Sequence, residues 1–150
     1  MARIKIDLPV DFSFSCKIPV RITDINYGGH VGNDTILTLL HEARMQFFNS
    51  LGYSEMNFGG TGMIMSDVAI EFKGELFYGD TVTASVTAGE ISKIGFDIMY
   101  KLETLRPDNN QGDKKIAVAF AKTGMICYDY ERKKIVAVPE DAKRKLSTGK

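Results

Sequence analysis

The 150-residue chain has no excess of either charge, because 19 basic and 19 acidic side chains cancel to a formal net charge of zero. No global field therefore draws it to nucleic acid or to an anionic membrane. It has only two cysteines, Cys16 and Cys127, far apart and without C-x-x-C spacing. That excludes a zinc ribbon or redox pair and fits unpaired thiols in a reducing compartment. Nowhere do about 18 apolar residues follow one another, and the opening MARIKIDLPVDF lacks the apolar run and cleavage site of a signal peptide. The expectation is a cytoplasmic protein with neither nucleic acid nor membrane as a partner. No Walker loop, metal-ligand cluster or Gly-x-Ser-x-Gly elbow occurs. Nucleotide hydrolases, metallohydrolases and α/β-hydrolases thus fall away, and no cofactor or metal is expected.

What is present is enough for one domain spanning 1–150, since this length fills a single core and not two. From Phe14 to Thr23 the chain alternates, with Cys16, Ile18, Val20 and Ile22 facing one way and Lys17, Pro19 and Arg21 the other. That predicts a strand, placed at a sheet edge by Pro19. Thr35 to Leu51 reads as a helix, with Asn33 or Asp34 as N-cap and Gly52 as the left-handed residue that ends it. Its apolar residues spread over more than one stripe, so burial on several sides is expected. Four further strands follow, roughly Gly62 to Phe72, Thr81 to Ser92, Phe96 to Leu105 and Lys115 to Tyr130. Pro107 to Asp113 reads as an exposed loop, Pro139 to Leu146 as a short helix with proline at N1, and Ser147 to Lys150 as a frayed end. The economical architecture is α+β, a five-stranded antiparallel sheet wrapped around one long central helix. Its two open edges invite pairing with a second copy.

Between the first strand and the helix lies DINYGGHVGND, residues 24–34, which holds one of the chain's two histidines. A loop that enters the N-terminus of a buried helix brings unpaired N–H groups and the positive end of a dipole into a partly dry setting. Such a place suits an anion or a developing oxyanion. Gly28, Gly29 and Gly32 permit close approach to the backbone, and they equally serve simply to make the turn, with Asn33 as a cap.

The pattern D-x-N-x-x-G-H-x-x-N, followed by Glu42-Ala43-Arg44, Leu51-Gly52 and Leu76-Phe77-Tyr78-Gly79-Asp80, resembles the 4-hydroxybenzoyl-CoA thioesterase-like branch of the hotdog superfamily, from about Phe14 to Leu146. The resemblance implies an acyl-CoA or acyl-carrier thioester hydrolase, a homodimer or homotetramer whose substrate lies at a dimer interface. Coenzyme A enters only as part of the substrate. It further implies that N–H groups near Gly32 and Asn33 polarise the thioester carbonyl, and that Tyr27, Met65, Ser66 and Asp67 contact the substrate. In that family an aspartate four residues before the histidine is nucleophile or base, whereas this chain has Asn26.

An amide cannot take a proton at neutral pH, although it can hold water or donate to a carbonyl oxygen. The catalytic candidates are therefore Asn26, His30, Asp24 and Glu42, with Asp67 as a further base. Asp24 has an alternative role as a turn acceptor and His30 as a ring satisfied by backbone carbonyls. Glu42 lies roughly 12 Å along the helix from its start, so it serves only from a partner chain. Arg44, Arg21 or Lys17 offer it an ion pair instead. Asp67 interrupts an apolar strand, either as an interface residue or as a base of raised pKa. Phe58, Met63, Met65 and Phe72 suit an acyl chain or the core, and Lys114-Lys115 and Arg132-Lys133-Lys134 suit phosphates. Set against the hydrolase is a hotdog protein that binds an acyl thioester without cleaving it, a reading favoured by Asn26. A hotdog dehydratase, whose Asp and His hydration motif is absent, comes third.

Overall fold

Ile36, Leu39, Leu40, Ala43, Phe47 and Phe48 recur at helical spacing, and in the computed structural model, which describes residues 1–110 and 112–148, they form the buried stripe of helix α1 (Asn33–Ser50). The stripe is single. Thr38, His41, Glu42 and Met45 stay exposed, so within one chain the helix is covered on one side, not on several as its composition suggests. The N-cap is Gly32, without a capping side chain, instead of Asn33 or Asp34. At the other end Gly52 has φ +83°, and the N–H groups of Gly52 and Tyr53 donate to the carbonyls of Asn49 and Phe48 at 3.0 and 2.9 Å. The left-handed Gly52 that the sequence predicts thus ends the helix, and the two bonds make it a Schellman closure.

The strands are β1 (Phe14–Pro19), β2 (Gly62–Phe72), β3 (Thr81–Ile91), β4 (Gly95–Asp108), β5 (Gly112–Asp129) and β6 (Lys134–Ile135), with helix α2 (Glu140–Thr148) last. They form one antiparallel sheet in the order β1-β3-β4-β5-β2, with β6 on β5. There are thus six strands among the described residues, not five. Two-residue β6 is too short to show a period, and a turn in which Asp129 Oδ1 accepts the N–H groups of Glu131 and Arg132 folds it back.

Pro19 marks the edge strand as expected, but β1 stops there. The chain enters a 3-10 turn at Ile22–Asp24, which turns Ile22 out to 68% exposure. Strands β4 and β5 run well into the expected Pro107 to Asp113 loop, pairing Pro107 with Asp113 and Asp108 with Gly112. Ser147 belongs to α2, while Gln111, Gly149 and Lys150 lie outside the described residues.

Helix α1 packs on β1 and β3. The core beneath its C-terminal half is aromatic, with the Phe58 ring 5.4 Å from Phe48 and 5.3 Å from Phe96. Phe58 and Met63 are therefore closed into the core and not free to line an acyl site. Strand β2, at the far edge, is left with Val68 and Phe72 at 39% and 48% exposure. Both cysteines are free, Cys127 buried and Cys16 partly so.

Candidate active site

The loop before α1 is built by its own side chains. Ile25 bridges to Val31, the Asn26 N–H donates to the His30 carbonyl at 2.9 Å, and Gly29 turns the chain at φ +85° while its N–H donates to the Asn26 carbonyl. Asn26 Oδ1 accepts the Gly28 N–H at 2.8 Å, an Asx turn. That use of the oxygen leaves the amide nitrogen as the outward group. A Cβ added to Gly32 would lie 3.5 Å from Asn26 Nδ2, so this donor sits beside the start of the helix.

His30 Nδ1 is 3.1 Å from the Val31 carbonyl oxygen. A carbonyl only accepts, so Nδ1 carries the proton and Nε2 of the neutral ring keeps its lone pair. A Cβ on Gly28 would lie 3.2 Å from Asn26 Oδ1 and 3.5 Å from His30 Nε2, which puts both side chains on the same side of the loop.

The Gly32 carbonyl accepts the N–H groups of Thr35 and Ile36 at 3.0 and 3.3 Å, whereas those of Asn33 and Asp34 meet no acceptor among the described residues. They are free donors at a positive helix end. A cavity of about 320 Å³ opens there, lined by His30, Asn33, Ile36, Phe72, Glu75 and Leu76 among others. The β2–β3 connection supplies one wall because the Val31 N–H donates to the Leu76 carbonyl at 2.9 Å. Lys73, Gly74 and Glu75 were missed as site residues by sequence reasoning. Only the Leu76 to Asp80 segment hinted that this connection returns to the helix.

The other candidates lie elsewhere. Asp24 is buried in the 3-10 turn, its Oδ2 accepting the Arg21 N–H at 2.8 Å and its Oδ1 facing the Arg21 guanidinium at 3.3 Å. Tyr27 is fully exposed at the loop tip. Glu42 accepts a hydrogen bond from Gln46 Nε2 at 2.9 Å and lines a separate groove of about 420 Å³ with Lys17, Arg21 and His41, beside β1.

None of the expected cations pairs with Glu42. Arg44 turns inward, 5% exposed, and donates to Glu55 Oε1 at 2.7 Å and to the Tyr100 hydroxyl at 3.3 Å. Burial pushes the Tyr100 phenol upward in pKa, and its oxygen is also 2.7 Å from Thr123 Oγ1.

Met65, Ser66 and Asp67 sit at a bulge in β2. Asp67 shares a sheet row with Gly124 and Asp97, between rows whose side chains fill the core, so it faces away from α1. It accepts from Lys122 Nζ at 2.7 Å and from the Gly124 N–H at 3.1 Å, and Lys122 holds its carboxyl below the usual range. The expected raised pKa is thereby corrected: a facing ammonium stabilises the charged form.

Among the described residues no group of His, Cys, Asp and Glu is arranged to hold a metal, and no helix is long and apolar enough to cross a membrane.

Solved structures share this architecture. A thioesterase superfamily protein from Jannaschia sp. CCS1 superposes with a TM-score of 0.79 at 14% identity, covering 94% of this chain and 85% of its own. A 1,4-dihydroxy-2-naphthoyl-CoA thioesterase from Synechocystis gives 0.75 at 20% identity, covering 89% and 95%. A mutant 4-hydroxybenzoyl CoA thioesterase complexed with 4-hydroxybenzoyl CoA gives 0.76 at 17% identity, covering 89% and 97%. A search of curated protein sequences finds no match. Residues 20–146, nearly the whole span from the end of β1 to α2, match the thioesterase-like superfamily. With the family match covering most of the chain and the fold shared with these structures, the chain belongs to the thioesterase-like superfamily.

Proposed function

We propose that this chain hydrolyses an acyl-CoA or acyl-carrier thioester at the N-terminus of α1, in a homodimer or a tetramer built from it. The observation that carries the reading is the free N–H donor of Asn33, which lines a cavity together with His30 and Phe72 and has a second free N–H beside it on Asp34. A thioester carbonyl oxygen held by these donors is polarised, and the same donors stabilise the oxyanion formed when water adds to the carbon. Collapse of that intermediate expels the thiolate and leaves the carboxylic acid. Asn26 contributes its Nδ2 as a further donor or as a hold on the water. His30 Nε2, on the same side of the loop as the Asn26 side chain, takes the water's proton when the ring is neutral.

The carboxylates fit less well. Asp24 is engaged by Arg21, and Asp67 by Lys122 on the opposite face. Glu42 lies beside β1, so it would reach a cavity only in an assembly that pairs through that groove.

The open edge of β2 supports dimerisation along that strand. A second copy there would cover Val68 and Phe72, next to the cavity, and so close the acyl site. Free thiols at Cys16 and Cys127 suit the cytoplasm.

The second reading, binding without hydrolysis, is favoured by Asn26 itself. The related thioesterase that holds its substrate, 4-hydroxybenzoyl CoA, is an aspartate-to-asparagine mutant. Thiol release from short, long and aromatic acyl-CoAs, compared among wild type, Asn26→Asp and a blank, decides between them. Wild-type turnover well above the blank supports hydrolysis. Turnover that appears only in Asn26→Asp refutes it in favour of binding.

A further inference from the structure

Residues 1–13 precede β1, contain no helix or strand, and nevertheless hold a defined course. Ser13 Oγ donates to Thr87 Oγ1 on β3 at 3.2 Å, and the Phe12 ring lies under Lys101 Nζ of β4 at 5.2 Å. The Ile6 N–H then donates to Glu71 Oε1 on β2 at 3.0 Å. Ser85, Lys101, Phe120 and Glu71 form one row across β3, β4, β5 and β2 on the face turned away from α1. The arm therefore crosses this face toward the open edge of the sheet, and it buries Thr87 on the way.

Met1 to Lys5 come after that last anchor and are all exposed, Ile4 at 59%. Five extended residues reach roughly 16 Å, whereas neighbouring strands are about 4.8 Å apart. The arm is thus long enough to pass the seam and cover two strands of whatever pairs with β2. Its chemistry suits a second copy. Arg3, Ile4 and Lys5 alternate charge with an apolar side chain, and the outer face of β2 carries the carboxylates Glu71 and Asp67, each with one lysine of its own chain, Lys73 and Lys122, at 2.7 Å. Like a strand, such a segment lays one side on a sheet and leaves the other to meet charges.

We infer that residues 1–5 are a clasp between two copies of this chain, each arm crossing the β2 edge onto the outer face of the other copy. The inference rests on the β2-paired dimer proposed above. It adds a contact that the edge alone does not supply, and by two-fold symmetry the contact is made twice.

The test is photo-cross-linking of the full chain with p-benzoylphenylalanine at Ile4 and, as a control, at Val10, which is 95% exposed but lies on its own chain's sheet, short of the Ile6 anchor at the β2 edge. The Ile4 probe is expected to give a covalent dimer and the Val10 probe none. Deletion of residues 2–5, which keeps the Ile6 to Glu71 bond, is expected to weaken dimerisation in sedimentation velocity at least tenfold with an unchanged melting temperature of the monomer. A dimer of unchanged affinity after the deletion, with only intramolecular cross-links at Ile4, overturns the clasp alone. A full chain that is monomeric at every concentration overturns the β2 dimer together with it. Val68→Asp separates the cases, because it breaks a β2 dimer whether or not the arm contributes.

Discussion

Replacing Asn33 by proline removes one backbone N–H from the end of α1 while leaving the helix intact. Asn33 is the first helical residue, where the N–H has no intrahelical acceptor and a φ of about −65° is already the helical value. The residue before a proline must be extended, and Gly32 already is, at φ −69° and ψ 154°. Stability should therefore change by no more than about 1 kcal/mol. If the Asn33 N–H holds the oxyanion, its loss should lower kcat by roughly 10²- to 10³-fold, about 2.7–4 kcal/mol of transition-state stabilisation, with KM moving far less. Asn33→Ala is the reference, since it removes the same side chain and keeps the N–H. The assay is steady-state thiol release on the best acyl-CoA, alongside thermal melts of both variants. A folded Asn33→Pro protein with kcat within about threefold of Asn33→Ala would refute the oxyanion assignment and move the reacting carbonyl away from this helix end.

Other consequences concern the frame. Arg44→Met takes the buried guanidinium from Glu55 and leaves it 23% exposed with His41 Nε2 at 3.4 Å, so the loss should be about 1–3 kcal/mol or a roughly 2–12 °C drop in Tm. Adding Glu55→Leu should recover most of it, and a double variant no better than the single one counts against the pair. Burial and the hydrogen bond to Asp141 push the Tyr53 phenol up from 10.0 to about 12. A raised folded pKa gives stability that is present below pH 10 and lost as pH rises toward 12, so Tyr53→Phe should flatten urea-measured stability across that window. Gly74→Ala would bring a Cβ 2.7 Å from the Ala117 carbonyl oxygen, which is backbone and cannot swing aside. It should cost about 1–3 kcal/mol and, because Gly74 lines the cavity, also reduce turnover. Unaltered denaturation and kinetics would show that the β2–β3 connection yields freely.

Periodicity located the elements because it is local. The alternation of Thr81 to Ile91 and the three- and four-residue spacing from Ile36 to Phe48 each depend on neighbours a few positions away. Gly52 was legible for the same reason, since a positive φ after a helix selects glycine wherever the helix packs. Failures fell where a longer-range contact outweighed the local signal. Ile22 continues a strand alternation, yet the Asp24 carboxylate accepts the Arg21 N–H and bends the chain into a 3-10 turn. Arg44 was matched to the nearby Glu42, but its partner Glu55 lies eleven positions on, in the loop after the helix, and Tyr100 arrives from β4.

The site divides in the same way. The sequence by itself determined that a glycine-rich polar loop feeds an apolar helix, that Asn26 stands where an aspartate is expected, and that the chain builds an α+β fold on one central helix. Those are properties of residue type and spacing. Only the tertiary structure decided that His30 and Asn33 share a cavity with Phe72 and Glu75, while Asp24, Glu42 and Asp67 are each directed elsewhere. The direction of a side chain depends on which element packs against it, and that is fixed by sheet order and register between residues far apart in the chain.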